Sequence, residues 1–147
     1  MRSATRTGLA VLAGALVTTT GYAVTASAGD RAALGPGVVT VELGIHHSRF
    51  SVGSLRVHEG TLVEFIVQND DPIAHELVVG DAEVHRRHAE GRERAHPPVP
   101  GEVSVGPGER GMTFLAFDEP GTVAYVCHLP GHEAYGMVGE IEVIPTA

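Results

Sequence analysis

Residues 127–137 read C-H-L-P-G-H-E-A-Y-G-M and contain the only cysteine of the 147-residue chain. The apolar, β-branched stretches on either side, residues 122–127 and 137–144, each have the character of a β-strand. One proline and two glycines between them favour a tight loop. A single loop would therefore bring a thiol, an imidazole and a thioether, from Cys127, His132 and Met137, towards one point.

The lone cysteine allows three interpretations: an inert buried side chain, a reactive thiol or a metal ligand. The residues around it favour the interpretation as a metal ligand, because Cys127, His132 and Met137 follow the spacing Cys-x4-His-x4-Met. The best second imidazole is His75, which follows a turn at 69–72 and opens a predicted strand. Two imidazoles, a thiolate and a weak axial thioether form the ligand set of blue-copper sites. The sulfur donors suit Cu(I), and the imidazoles also satisfy Cu(II).

Most of the remaining sequence has the two-residue period of β-strands. Further strands are predicted at residues 38–43, 45–50, 54–57, 61–68, 74–79, 102–105 and 112–117. One segment differs, because Asp81 can cap a helix over residues 82–91, and a proline-rich loop follows at 92–101. About eight short strands with glycine and proline turns favour the all-β class, as an antiparallel β-sandwich with one short helix.

The N-terminal segment has the features of an export signal. Two arginines precede an apolar run at residues 9–17, and Ala26-Ser27-Ala28 is a typical cleavage motif. A membrane anchor is the alternative, but the run is shorter than the roughly 20 residues that span a bilayer. We predict a signal peptide at 1–28, a flexible lead at 29–37 and one domain at 38–147, with an insertion at 81–101. The mature protein would then be exported to the periplasm, the cell surface or the medium.

The composition argues against two classes of partner. The formal net charge is −8, with 18 acidic residues against 10 arginines and no lysine. Such a surface repels the phosphates of nucleic acids and of anionic membranes. We expect a monomer that binds neither and that does not insert into a membrane once the signal is removed. In an oxidising compartment an unpaired thiol is also prone to oxidation unless a bound metal protects it.

Two motifs carry a resemblance to a known family. N-D-D-P-I-A-H-E-L at 69–77 and Y-V-C-H-L-P-G-H-E-A-Y-G-M-V-G-E-I-E-V at 125–143 resemble those of the cupredoxins, the small blue copper proteins, and more narrowly their exported bacterial members. The similarity runs from about residue 38 to residue 144. It implies a Greek-key β-sandwich or barrel, a type 1 copper cofactor cycling between Cu(II) and Cu(I), and one-electron transfer to a redox partner protein. The residues that match the family's ligands are His75, Cys127, His132 and Met137.

The insertion at 81–101 departs from simple electron carriers and resembles that of cupredoxins associated with copper resistance. His85 and His88 would share one face of its helix, and His96 follows in the loop. These three histidines could form a second copper site, which favours an alternative function in copper tolerance, sequestration or delivery with a copper-handling partner. The simpler interpretation is a polar, solvated helix face. His46 and His47, on opposite faces of the predicted strand at 45–50, could also bind copper loosely.

His128 bears on whether the protein is an enzyme. Multicopper oxidases resemble this loop but carry histidines on both sides of the cysteine, whereas Val126 precedes Cys127 here. A copper enzyme would also need a second metal site and usually a second domain, so no enzymatic function is expected. We expect His128 to be a surface residue, with an exit point for the electron as the alternative. Glu76 could supply a hydrogen bond to the ring of His75 beside it.

Overall fold

The computed structural model describes residues 32–91 and 99–146, and in addition the backbone of Ala23–Val24. Its elements in chain order are β1 (Ala23–Val24), β2 (Gly37–Ile45), β3 (Ser54–His58), β4 (Thr61–Asn69), β5 (His75–Gly80), α1 (Ala82–Ala89), β6 (Glu102–Val105), β7 (Arg110–Phe117), β8 (Gly121–Val126) and β9 (Val138–Ile144). The all-β class with one short helix is confirmed. The predicted signal peptide at 1–28, apart from the backbone at 23–24, lies outside the described residues, as do residues 29–31 of the predicted lead.

Two sheets face each other across one apolar core. One has the strand order β1-β2-β4-β7 and the other β3-β9-β8-β5-β6. The predicted alternation is clear in β4, where every second residue from Thr61 to Asn69 is buried. The core consists mainly of valine, leucine and isoleucine, and Tyr125 and Phe65 are its largest fully buried side chains. Each such apolar side chain contributes roughly 1.5–3 kcal/mol on burial.

The predicted antiparallel β-sandwich is confirmed as a sandwich, but not all of its strand pairs are antiparallel. β2 pairs in parallel with β4 over its whole length, and β3 pairs in parallel with β9. The reason is topological, since β3 lies in the opposite sheet and the chain crosses the sandwich twice between β2 and β4. Such a crossover returns the next strand of the same sheet in the same direction. The pairs β4–β7, β5–β6, β5–β8 and β8–β9 are antiparallel.

The predicted strand at 45–50 does not form, because the chain turns back after β2. The N–H of His46 donates to the carbonyl of Arg49 at 3.1 Å, and the N–H of Arg49 donates to the carbonyl of His46 at 3.2 Å. Between them, His47 and Ser48 take the left-handed φ values of 51° and 52°. His46 and His47 are therefore exposed loop residues with ring centroids 3.9 Å apart, not residues on opposite faces of a strand.

The helix predicted in the insertion is confirmed together with its cap. Oδ1 of Asp81 accepts the N–H of Glu83 at 3.0 Å and that of Val84 at 2.9 Å, which satisfies two free donors of the first turn. None of the eight residues of α1 is fully buried. The helix lies against β5, where Val84 covers Gly80 so closely that a Cβ there would overlap it. Within residues 32–91 and 99–146, no helix has the length and apolar character needed to cross a membrane.

Candidate metal centre

The loop between β8 and β9 is closed by its own backbone. The N–H of Cys127 donates to the carbonyl of Met137 at 3.1 Å, and the N–H of Met137 donates to the carbonyl of His132 at 3.0 Å. Gly131 and Gly136 turn the chain with φ values of 86° and 87°, which glycine adopts without strain. β8 ends one residue earlier than predicted and β9 begins one residue later, so Cys127 and Met137 belong to the loop. Main-chain bonds thus hold the three side chains of the spacing motif in one compact segment.

His75 reaches this loop from β5. Because β5 and β8 are antiparallel neighbours, the start of one lies beside the end of the other. Ligand atoms of His75, Cys127 and His132 all lie within 4.8 Å of one another, and Sγ of Cys127 is 3.2 Å from Nδ1 of His132. Among the described residues, no other group of three or more histidine, cysteine or acidic side chains converges in this way. His75, Cys127 and Met137 are buried, whereas His132 is partly exposed.

The imidazole of His75 has one nitrogen committed and one free. Nε2 lies 2.9 Å from Oδ2 of Asp71, and because a carboxylate accepts hydrogen bonds, Nε2 carries the proton. Nδ1 is buried without a hydrogen-bond partner among the described residues, which costs about 1–3 kcal/mol unless a metal ion satisfies it. Burial, and then the nearby His75, lower the pKa of His132, so the imidazole of His132 is a neutral donor at pH 7. Two imidazoles with a thiolate and a thioether fit copper.

Sequence reasoning missed Asp71. Its carboxylate accepts the N–H groups of His47 and Ser48, both at 2.7 Å, in addition to its contact with His75. Burial alone would raise the pKa of Asp71, but these donors outweigh burial and lower the pKa below its ordinary value. The group is therefore an anion at neutral pH. The only signal in the sequence was a carboxylate four residues before His75, in a segment interpreted as a turn.

Glu76 acts on a different part of the site from the one expected. Strand alternation turns its side chain away from His75, and Oε1 accepts the N–H of His128 at 2.9 Å.

Burial raises the pKa of the Cys127 thiol to about 11, although the backbone N–H groups of Glu76 and Leu129 donate to its sulfur and favour the thiolate. The thiol is therefore protonated at neutral pH, and a metal ion must displace its proton to bind.

His128 is not the surface residue expected from the sequence, because two histidines of α1 cover it. Its side chain is 3% exposed. Nδ1 of His85 lies 2.9 Å from Nε2 of His128, and the ring of His88 stacks on it with centroids 5.8 Å apart and planes at 22°. Nε2 of His88 also lies 3.0 Å from Oε2 of Glu102. His96, the third histidine predicted for a second site, lies outside the described residues.

Sequence comparison identifies the family. The profile of the copper-binding proteins of the plastocyanin/azurin family matches residues 38–144, which run from the second residue of β2 to the end of β9. The chain belongs to this family. The resemblance to cupredoxins that the sequence indicated is therefore confirmed. Copper is the cofactor of this protein.

The relatives of this plastocyanin/azurin-family protein include copper-resistant cuproproteins named CopI. The one from Rubrivivax gelatinosus is 34% identical over 99 residues, which cover 65% of this chain and 59% of the relative. The one from Pseudomonas aeruginosa is 24% identical over 139 residues, which cover 72% of this chain and 76% of the relative. The chain thus spans less than two thirds of the Rubrivivax protein.

A solved structure shows the same sandwich. Reduced auracyanin from Roseiflexus castenholzii matches with a TM-score of 0.62 at 22% identity, over 72% of this chain and 97% of auracyanin. At this identity the likeness concerns the fold. It confirms the cupredoxin β-sandwich.

Proposed function

We propose that this protein is an exported type 1 copper protein that transfers single electrons. His75 and His132 would bind copper through imidazole nitrogens, Cys127 through its thiolate and Met137 through its weaker thioether donor. The observation that carries the proposal is the convergence of three ligand atoms within 4.8 Å, next to the buried Met137. Copper bound there would supply reversible one-electron exchange between Cu(II) and Cu(I).

The surrounding protein favours this activity because it keeps the ligands still. Cys127 and Met137 share a loop closed by main-chain hydrogen bonds, and His75 begins a central strand of a packed sheet. A close-packed interior resists movement of these groups when the charge at the centre changes. Of the four proposed ligand residues, His132 is the partly exposed one, so it would be the contact point for a redox partner.

The visible spectrum of the copper-loaded protein tests the proposal. We expect an intense absorption from charge transfer between the Cys127 thiolate and Cu(II), and its loss in Cys127→Ala. His46→Ala removes an exposed histidine outside the ligand set, and this control variant should keep the absorption. A colourless copper complex of the unchanged protein would contradict a type 1 site.

The proposal includes a location and a class of partner. The predicted signal peptide and the relatives named for copper resistance support an exported protein in the periplasm or on the cell surface. It would act as a monomer with a redox protein or a copper-handling protein, without nucleic acid and without membrane insertion. It would catalyse no substrate chemistry, since Val126 stands where an oxidase loop has a second histidine.

A second candidate function is copper tolerance, through additional copper bound by histidines of the insertion. It is favoured by the His85–His128 pair, whose nearest ring nitrogens lie 2.9 Å apart, with His88 stacked beside them. Imidazole nitrogens suit copper, and burial lowers the pKa of His128 so that its ring is a neutral donor at pH 7. His96 stays in this proposal on the strength of the sequence. The names of the CopI relatives point in the same direction.

Copper stoichiometry separates the two functions. A tolerance role predicts more than one copper per protein, and the extra copper should be lost from His85→Ala/His88→Ala while the thiolate absorption remains. The matched control is His58→Ala, which removes a histidine of β3 that belongs neither to the proposed ligand set nor to the histidines of the insertion. One copper per protein, unchanged by the helix substitutions, would contradict tolerance by sequestration and leave electron transfer.

A further inference from the structure

Asp71 connects two parts of the chain at the proposed copper site. It is only 6% exposed, and both of its carboxylate oxygens are used. Oδ1 accepts the N–H of His47 at 2.7 Å, and Oδ2 accepts the N–H of Ser48 at 2.7 Å and lies 2.9 Å from Nε2 of His75. Three donors around one buried carboxylate offset the cost of removing it from water.

The turn that carries Asp71 is itself held firmly. Oδ1 of Asn69 accepts the N–H of Asp71 at 3.0 Å. Nδ2 of the same Asn69 donates to the carbonyls of Ile73 and Gly106, both at 2.8 Å. The buried amide of Asn69 therefore fixes the turn to the segment that follows β6. This leaves the Asp71 carboxylate little freedom.

The loop on the other side of Asp71 is shaped by the same carboxylate. His47 and Ser48 are both left-handed, and consecutive N–H groups in such turns can form an anion-binding concavity. Non-glycine residues in this conformation cost of order 1–3 kcal/mol each, so the two hydrogen bonds to Asp71 help to explain why the conformation persists. From the same loop, Nη1 of Arg49 lies 3.4 Å from the carbonyl oxygen of Gly136, beside Met137. The loop thus contacts the segments of two proposed ligands.

We propose that Asp71 is a positioning residue of the copper centre, which leaves Nδ1 of His75 free for the metal and favours Cu(II) over Cu(I). This inference rests on the proposed copper site. A carboxylate that accepts from Nε2–H fixes the ring and makes the imidazole a stronger donor. A fixed negative charge near the metal also stabilises the higher positive charge. Both effects lower the reduction potential.

The reduction potential of Asp71→Asn tests this role, because the amide keeps the size of the side chain and removes its charge. We expect Cu(II) to lose about a tenfold preference over Cu(I), which raises the potential by about 59 mV for one electron. The matched control is Asp70→Asn, which removes the same charge from the exposed neighbouring residue and should leave the potential unchanged. Equal potentials in Asp71→Asn and the unchanged protein would overturn the inference.

A second measurement keeps the inference testable if Asp71→Asn does not fold. Nitrogen-15 NMR of the unchanged, metal-free protein should show His75 protonated at Nε2, and protonation at Nδ1 instead would overturn the role of Asp71. The two possible failures are distinct. Absence of the thiolate absorption in the unchanged protein removes the type 1 site, whereas a normal absorption with an unchanged potential in Asp71→Asn removes only the role of Asp71.

Discussion

The backbone N–H of Cys127 donates to the carbonyl oxygen of Met137 at 3.1 Å. This bond continues the pairing of β8 with β9 beyond its last ladder pair, Val126 with Val138. The two sulfur-bearing residues therefore sit at the same end of the sandwich because of strand pairing. A site supported in this way needs little reorganisation to bind a metal.

Met137→Leu should leave a coloured copper site with a higher reduction potential. Leucine conserves volume at this fully buried position, while the thioether donor that tunes the potential is lost. We expect a rise of about 59 mV, a tenfold change in the Cu(I) to Cu(II) preference, measured by voltammetry. Met112→Leu, at a side chain that is 54% exposed, is the control and should not alter the potential. An unchanged potential in Met137→Leu would argue against an axial role.

Copper binding should release a proton from Cys127. Burial raises the pKa of this thiol to about 11, so it is protonated at pH 7, whereas the lowered pKa of His132 makes that ring neutral already. Adding Cu(II) to weakly buffered, metal-free protein at pH 7 should therefore release about one proton per copper, followed with a pH indicator. Cys127→Ser should release far less. Thiolate absorption that develops without proton release would show that the thiol is ionised before copper binds.

Gly139→Ala should destabilise the sandwich behind the proposed copper site. A methyl group at this position would overlap the ring of Tyr125, which is fully buried and donates its hydroxyl to the carbonyl of Val52. We expect a loss of about 1–3 kcal/mol in the free energy of unfolding, measured with urea on the metal-free protein. Gly53→Ala is the control, because no described atom beyond its two chain neighbours lies within 4 Å of its added Cβ. Equal stabilities of the two variants would contradict this packing.

Asp81→Ala should loosen α1 without unfolding the sandwich. The substitution removes the acceptor for the N–H groups of Glu83 and Val84, which costs about 0.5–2 kcal/mol. Because α1 has no fully buried residue, we expect the loss mainly as faster hydrogen exchange of the helix amides. Asp81→Asn keeps a capping oxygen and should retain most of the protection. Equal exchange in the two variants would mean that the cap does not stabilise the helix.

The elements that could be predicted from the sequence depend on residues close together in the chain. Asp81 and the helix after it, and the strands around the Cys127 loop, follow from capping, turn chemistry and a period of two. The strand predicted at 45–50 could not be excluded in this way, because no glycine or proline interrupts the segment. The contact that turns His47 and Ser48 out of a strand comes from Asp71, in another part of the chain.

By itself, the sequence determined the all-β class, the helix in the insertion and a loop that groups Cys127, His132 and Met137. Only the tertiary structure decided that β2 and β4 are parallel, that Asp71 holds the ring of His75, and that His85 and His88 cover His128. The physical reason is the range of the interactions. Periodicity and turn chemistry act over a few residues, whereas these contacts form only when two sheets and a helix pack together, and that packing depends on the whole chain.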